Sequence, residues 1–97
     1  MAFNNTLKKI KKNKDIIIVC ACDDGATADI TLSKLGYKIV GYADNSEKKQ
    51  GKKYNKKNVL SLPKATEKYP TVQYIIAVEK YEDELKEQLI KLGINQD

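Results

Sequence analysis

The sequence predicts an α/β fold in three layers: a short, mostly parallel sheet with helices on both faces. Three observations carry that expectation. Ile16-Ile17-Ile18-Val19-Cys20-Ala21 has no polar alternation, the pattern of a strand buried on both sides. The turn Cys22-Asp23-Asp24-Gly25 follows at once and opens a helical pattern, the layout of a first βα unit. Two more apolar runs, Tyr37 to Ala43 and Val72 to Val78, are separated by a polar segment and by helical signals.

In chain order, Phe3, Leu7 and Ile10 fall at i, i+4 and i+7 among lysines, which predicts a short amphipathic leading helix over residues 1–14. Asn13-Lys14-Asp15 is a turn into the first strand. The next helix runs from about Asp24 to Leu35, with Ala28, Leu32 and Leu35 as its inner stripe. Gly36 ends it, because glycine takes the left-handed conformation that closes a helix. Tyr37 to Ala43 is the second strand, with Asp44 just past its end. Asn45 to Asn58 reads as a long polar loop, and such length in a small domain marks a mobile or functional segment. Val59-Leu60 is a short edge strand. Ser61 and Pro63 start a short helix, which Tyr69-Pro70 breaks. After the strand Val72 to Val78, the acids Glu82, Asp83 and Glu84 suit the positive end of a last helix. Tyr81, Leu85, Leu89 and Leu92 form the buried stripe of that helix, and Gly93 closes it. Right-handed crossovers then give a sheet ordered 3-2-1-4. Residues 15–97 form the single domain.

Composition narrows the function. The chain has 97 residues, one core at most; a chain of this size buries roughly two-thirds of its unfolded surface. No apolar run approaches the ~20 residues of a membrane helix, and the first residues lack the pattern of a secretion signal. Cys20 and Cys22 stand one residue apart with no other cysteine to pair with, and a bridge between them is expected to be strained; they read as small buried hydrophobes at a strand end, in a reducing, cytoplasmic setting. There is no histidine, which removes the usual general base, metal ligand and nucleophile partner. The net charge of +5 comes wholly from lysine, and residues 1–57 hold 13 Lys against 6 Asp+Glu. Nucleic acid readers rely on arginine for bidentate contacts, so the all-lysine excess speaks against a nucleic acid partner.

The chemistry-bearing stretch is Cys20-Ala21-Cys22-Asp23-Asp24-Gly25. It has the spacing of the dinucleotide fingerprint G-x-G-x-x-G, with only the third glycine kept. That fingerprint aims backbone N–H groups at a pyrophosphate and expects an acid about 20 residues on, at the tip of the second strand, to hold a ribose. Asp44 stands there, followed by Asn45. The candidate cofactor-binding set is therefore Cys20, Ala21, Cys22, Asp23, Asp24, Gly25, Asp44 and Asn45. No catalytic or metal-binding set emerges. Each residue has a plainer role too: Asp23 and Asp24 cap a helix and favour its positive end, and Asp44 belongs to a turn with Asn45.

The frame C-A-C-D-D-G, then L-G-Y-K-I-V-G-Y-A-D-N, Gly51-Lys52, Val59 before Pro63, Y-I-I-A-V and the closing L-I-K-L-G-I resemble a compact Rossmann-like module of bacterial polysaccharide-biosynthesis proteins. The module is similar to the amino-terminal domain of nucleotide-sugar N-acyltransferases and to the nucleotide-binding domain of sugar-nucleotide dehydratases. The likeness spans about Ile16 to Ile94 and implies an NAD(P), CoA or nucleotide-sugar ligand. In those relatives the turn reads G-A-G-D-x-G: Ala21, Asp23 and Gly25 match, and Cys20 and Cys22 depart, setting β-carbons where the ligand approaches. The β-helical domain that the acyltransferases need is absent from these residues, so the resemblance implies a binding half that is not an enzyme by itself. A separate catalytic chain would complete it. The alternative is an interaction domain that has lost its ligand, dimerising through the leading helix or an exposed edge near Val59. A response-regulator receiver domain is a further rival, but Glu79 stands where its phosphoaccepting aspartate would be.

Overall fold

Four β-branched residues, Ile16–Val19, make β1, and each is 1% exposed or less. A strand so enclosed needs neighbours on both edges and helices on both faces, and it has them. The computed structural model describes residues 10–94. In it β1 is followed by α1 (Asp23–Lys34), β2 (Ile39–Ala43), β3 (Lys53–Tyr54), β4 (Lys57–Leu60), α2 (Leu62–Lys68), β5 (Gln73–Ile76) and α3 (Glu82–Lys91). The sheet order is β3-β4-β2-β1-β5. β1 pairs in parallel with β2 and β5, and β2 in parallel with β4. The four parallel strands thus stand in the expected order, and the full sheet differs by β3, added antiparallel at the edge.

The pleat of β1 divides the core. Ile16 and Ile18 pack with Ala28 and Leu32 of α1. Ile17 and Val19 pack with Leu62 of α2 and Leu89 of α3. Burying each such side chain contributes about 1.5–3 kcal/mol, so β1 anchors both layers. The ends follow local chemistry. Gly36 and Gly93 close their helices at φ 93° and 91°, and the Ile94 N–H donates to the Leu89 carbonyl at 2.9 Å. Ser61 Oγ caps α2 by accepting the Lys64 N–H at 3.2 Å.

The segment expected as a polar loop, Asn45 to Asn58, holds structure instead. Asn55 and Lys56 take φ 47° and 68° and join β3 to β4 in a two-residue turn, the geometry of a type I′ hairpin. A buried carboxylate fixes this hairpin to α1. Asp29 is 1% exposed and accepts from Tyr42 Oη at 2.6 Å, Ser33 Oγ at 3.1 Å, Asn55 Nδ2 at 3.0 Å and Lys57 Nζ at 3.0 Å. The hairpin also pairs the edge near Val59, which is 1% exposed, so β4 is not the open edge expected there.

Other expectations shift by a residue or two. β1 stops at Val19, because Cys20 bends away. Leu35 and Tyr81 are 45% and 49% exposed rather than buried, since they lie just beyond the ends of α1 and α3. Most of the leading helix lies outside the described residues. Its last apolar position, Ile10, is buried, and residues 11–14 form a turn held by Gln73, whose side chain bonds the Lys11 N–H and carbonyl at 2.7 and 2.6 Å. Among the described residues no helix is long and apolar enough to cross a membrane.

Candidate functional site at the strand tips

Where β1 ends, its backbone turns sharply over the start of α1. Cys20 takes φ 102° and still donates its N–H to the Ala43 carbonyl at 2.8 Å, beside the tip of β2. This is the place of the fingerprint's first glycine, and a side chain held in that region costs about 1–3 kcal/mol. Something must hold the bend, and three contacts do. The Ala21 N–H donates to Asp44 Oδ2 at 2.8 Å. The Ala21 carbonyl accepts Lys49 Nζ at 2.8 Å. Cys20 and Cys22 are joined as a disulfide, their Cα atoms 5.5 Å apart. Both are half-buried, not the enclosed hydrophobes expected, because the bend turns them toward the cleft mouth and the start of α1.

Gly25 has the role the fingerprint assigns to its third glycine. A β-carbon there would lie 2.0 Å from the Cys20 carbonyl oxygen, so only glycine lets α1 approach the turn this closely. Cys22 is the N-cap of α1 in extended conformation and supplies no side-chain cap. The first-turn N–H groups of α1 are left as donors, with exposed Asp23 and Asp24 around them.

Asp44 is where the sequence places it, and already engaged. Its Oδ2 takes the Ala21 N–H, its Oδ1 takes the Ser46 N–H at 2.8 Å, and Lys49 Nζ lies 3.9 Å from Oδ2. Beside it a cleft of about 400 Å³ opens at the tips of β1, β2 and β5, lined by Cys20, Asp44, Asn45, Lys49, Tyr81 and Gln88 among others. Asn45 and Gln88 bridge the β2 tip to α3 with paired amide bonds of 2.9 and 3.1 Å. A second hollow of about 320 Å³, lined by Asp24, Thr27, Val78, Glu79 and Lys80, sits by the start of α1. Val78 borders both.

Cys20, Asp44 and Asn45 therefore share one cleft, and Asp24 faces the next. Ala21 and Gly25 are buried beneath the turn as structure. Lys49 and Gln88 are not singled out by the sequence, and Tyr81 reads there as part of the buried stripe of the last helix and not as a site residue. Their only signals were the length of the loop carrying Lys49 and the acidic start of α3. Among the described residues no cluster of three or more His, Cys, Asp or Glu is placed to hold a metal ion.

A parallel sheet covered on both faces, with a glycine-dependent turn and an acid at neighbouring strand tips, defines a Rossmann-like α/β module. Residues 13–97 match the family described as C2185-like, N-terminal, and the chain belongs to that family. No curated protein matches it significantly. Among solved structures it is similar to RSP, a Rex-family repressor, at 21% identity and TM-score 0.64 over 96% of this chain and 48% of that one. RSP in complex with β-NADH gives TM-score 0.63 at 21% identity over 96% of this chain and 49% of that one. RSP with β-NAD⁺ and operator DNA gives 0.64 at 21% over 96% and 46%. The likeness is one of fold, and the chain spans about half the length of these proteins. It carries the Rossmann-like part of the sequence resemblance and lends nothing to a glycan setting.

Proposed function

We propose that this chain is a nucleotide-binding Rossmann-like module whose ligand is a dinucleotide of the NAD type. One observation carries the reading: a turn that only Gly25 permits is bonded to Asp44 through the Ala21 N–H, and a cleft at the strand tips opens beside them, lined by Cys20 and Asp44. The cleft lies within the ~300–1,000 Å³ of ordinary ligand sites. The nucleoside would occupy it, beside Asp44 and Asn45, with the phosphates toward the start of α1. Nucleotide-sugar and CoA ligands, implied by the sequence resemblance, remain competitors in the same cleft.

The electrostatics predict modest affinity. An exposed charge at ~4 Å is worth about 1 kcal/mol in water, and a helix start contributes about 0.3–1 kcal/mol toward an anion. Asp23 and Asp24 thus cancel the pull of α1 on a phosphate. Lys49 by the cleft and Lys80 by the hollow next to Asp24 are cations that offset them. No reaction is assigned to the chain. In this reading residues 15–97 act as one domain led by residues 1–14, in the cytoplasm, with catalysis or output supplied by another domain or chain. The sequence expectation against nucleic acid does not carry into this reading, since the similar RSP is also seen with operator DNA and lysines alone supply phosphate contacts.

The test is calorimetry with NAD⁺, NADH, NADP⁺, CoA and a nucleotide-sugar on the folded protein. Binding of NAD⁺ or NADH, weakened by salt, is expected; silence across the panel ends the proposal. A second reading is favoured by the mutual saturation of Asp44 and the Ala21 N–H: an interaction domain without ligand. It expects a stable dimer by light scattering that nucleotide leaves unchanged.

A further inference from the structure

We propose that Cys20 and Cys22 are a reversible dithiol–disulfide couple, a modification site that exchanges with low-molecular-weight thiols and disulfides at the mouth of the strand-tip cleft. The nucleotide reading makes no use of these side chains. Their Cα atoms lie 5.5 Å apart, inside the range that bridges without backbone movement. Both are half-exposed, and Cys20 lines the cleft, so a small reagent can reach them. The chain has no other cysteine to compete for either.

The exchange balances as follows. One cysteine thiolate attacks a sulfur of a disulfide RSSR, forming a mixed disulfide and releasing RS⁻. The second cysteine thiolate then attacks the protein sulfur, breaking the mixed bond and releasing the second RS⁻. Two protein thiols are oxidised, RSSR is reduced to two thiols, and the cysteine protons pass to solvent and the departing thiolates. The reverse sequence opens the bridge.

A consequence rests on the nucleotide reading. In the bridged form Ala21 is held at its N–H by Asp44 and at its carbonyl by Lys49, with Cys20 fixed in the left-handed region. Reduction removes one of the three ties that hold the bend, so the turn can relax and give up the Ala21 N–H and Asp44 to a ligand. The dithiol form binds nucleotide more tightly, and by linkage nucleotide favours the dithiol by the same factor. A tenfold difference corresponds to about 30 mV in this two-electron couple.

The full chain is equilibrated in glutathione buffers of rising oxidation, its thiols are trapped by alkylation, and its mass is read. One reversible transition from two alkylated cysteines to none, with the loss of two hydrogens and no adduct, is expected. Two alkylated cysteines at every poise, or stable glutathione adducts in place of the bridge, overturn the couple. Cys22→Ser is expected to accumulate the glutathione adduct on Cys20; a Cys20 that stays unmodified overturns its access. NAD⁺ titrated into both forms is expected to bind the dithiol about tenfold tighter. Equal affinities overturn the coupling. No binding in either form defeats the nucleotide reading, while the mass readout decides the couple independently.

Discussion

Asp44→Ala separates a ligand-holding aspartate from a structural one. The carboxylate accepts two backbone N–H groups, from Ala21 and Ser46, each at 2.8 Å. Ala21 is 0% exposed, so its N–H has no water to turn to. An orphaned buried donor costs about 1–3 kcal/mol, and the partly exposed Ser46 bond adds about 0.5–1 kcal/mol. Asp44→Ala should therefore lower stability by roughly 2–4 kcal/mol, a large share of the ~5–15 kcal/mol of a small domain. Asp44→Asn keeps one carbonyl oxygen for the Ala21 N–H and should lose about 1 kcal/mol. Urea unfolding followed by circular dichroism measures both, and the slope should stay constant if only stability changes. An Asp44→Ala variant within ~0.5 kcal/mol of the parent would falsify the view that Asp44 pins the turn.

Gly25→Ala gains about 1 kcal/mol of helix propensity but sets a β-carbon 2.0 Å from the Cys20 carbonyl oxygen. Backbone displacement should outweigh the gain, for a net loss of about 1–2 kcal/mol in the same urea assay; a stabilised variant refutes the close approach. Asp29→Ala orphans the buried Tyr42 hydroxyl and removes the bonds from Asn55 and the part-exposed Lys57, which should cost about 2–4 kcal/mol. A thermal melt shifted by less than ~4 °C, the scale of 1 kcal/mol, refutes its hold on the hairpin. Burial pushes the Tyr74 hydroxyl up from 10.0 to about 12. The unfolded chain loses this proton from pH 10 and the folded one only near 12, so stability falls across that window by roughly 3 kcal/mol. Tyr42, raised by burial and then by its bond to Asp29, acts in the same direction. Alkaline unfolding read by tyrosinate absorbance should be shallower in Tyr74→Phe, and an unchanged profile refutes the assignment. Asp23→Asn with Asp24→Asn should raise NAD⁺ affinity several-fold at low salt and little at high salt; calorimetry showing no gain places the phosphates elsewhere.

The parts legible in the sequence were those decided by local pattern. An apolar run without alternation, the glycines that close α1 and α3 and the Ser61 cap depend on neighbours a few residues away, and they placed the strands and most helix bounds. The β3–β4 hairpin was not legible, because Asn55-Lys56 lacks the glycine that usually marks a type I′ turn. Its stability comes from Asp29, 26 residues earlier by way of Asn55. The site divides in the same way. Gly25 and Asp44 were found by spacing. Lys49 reaches the turn only through the folded loop, and the disulfide depends on the left-handed bend at Cys20, which spacing alone does not reveal.

That bend links the structural and functional readings. A glycine at position 20 would adopt φ 102° freely, and the turn would need little to hold it. With cysteine there, the conformation has to be imposed, and what imposes it is the disulfide together with groups a nucleotide would otherwise use: the Ala21 N–H, the Asp44 carboxylate and the Lys49 ammonium. Holding the turn and holding a ligand thus compete for the same atoms. Cys20→Gly with Cys22→Gly should relieve that competition, so the double variant should bind nucleotide more tightly than the bridged parent, in oxidising and reducing buffer alike. If its affinity only matches the bridged form, the cysteines are not what limits the cleft, and the saturation of Asp44 is intrinsic to the fold.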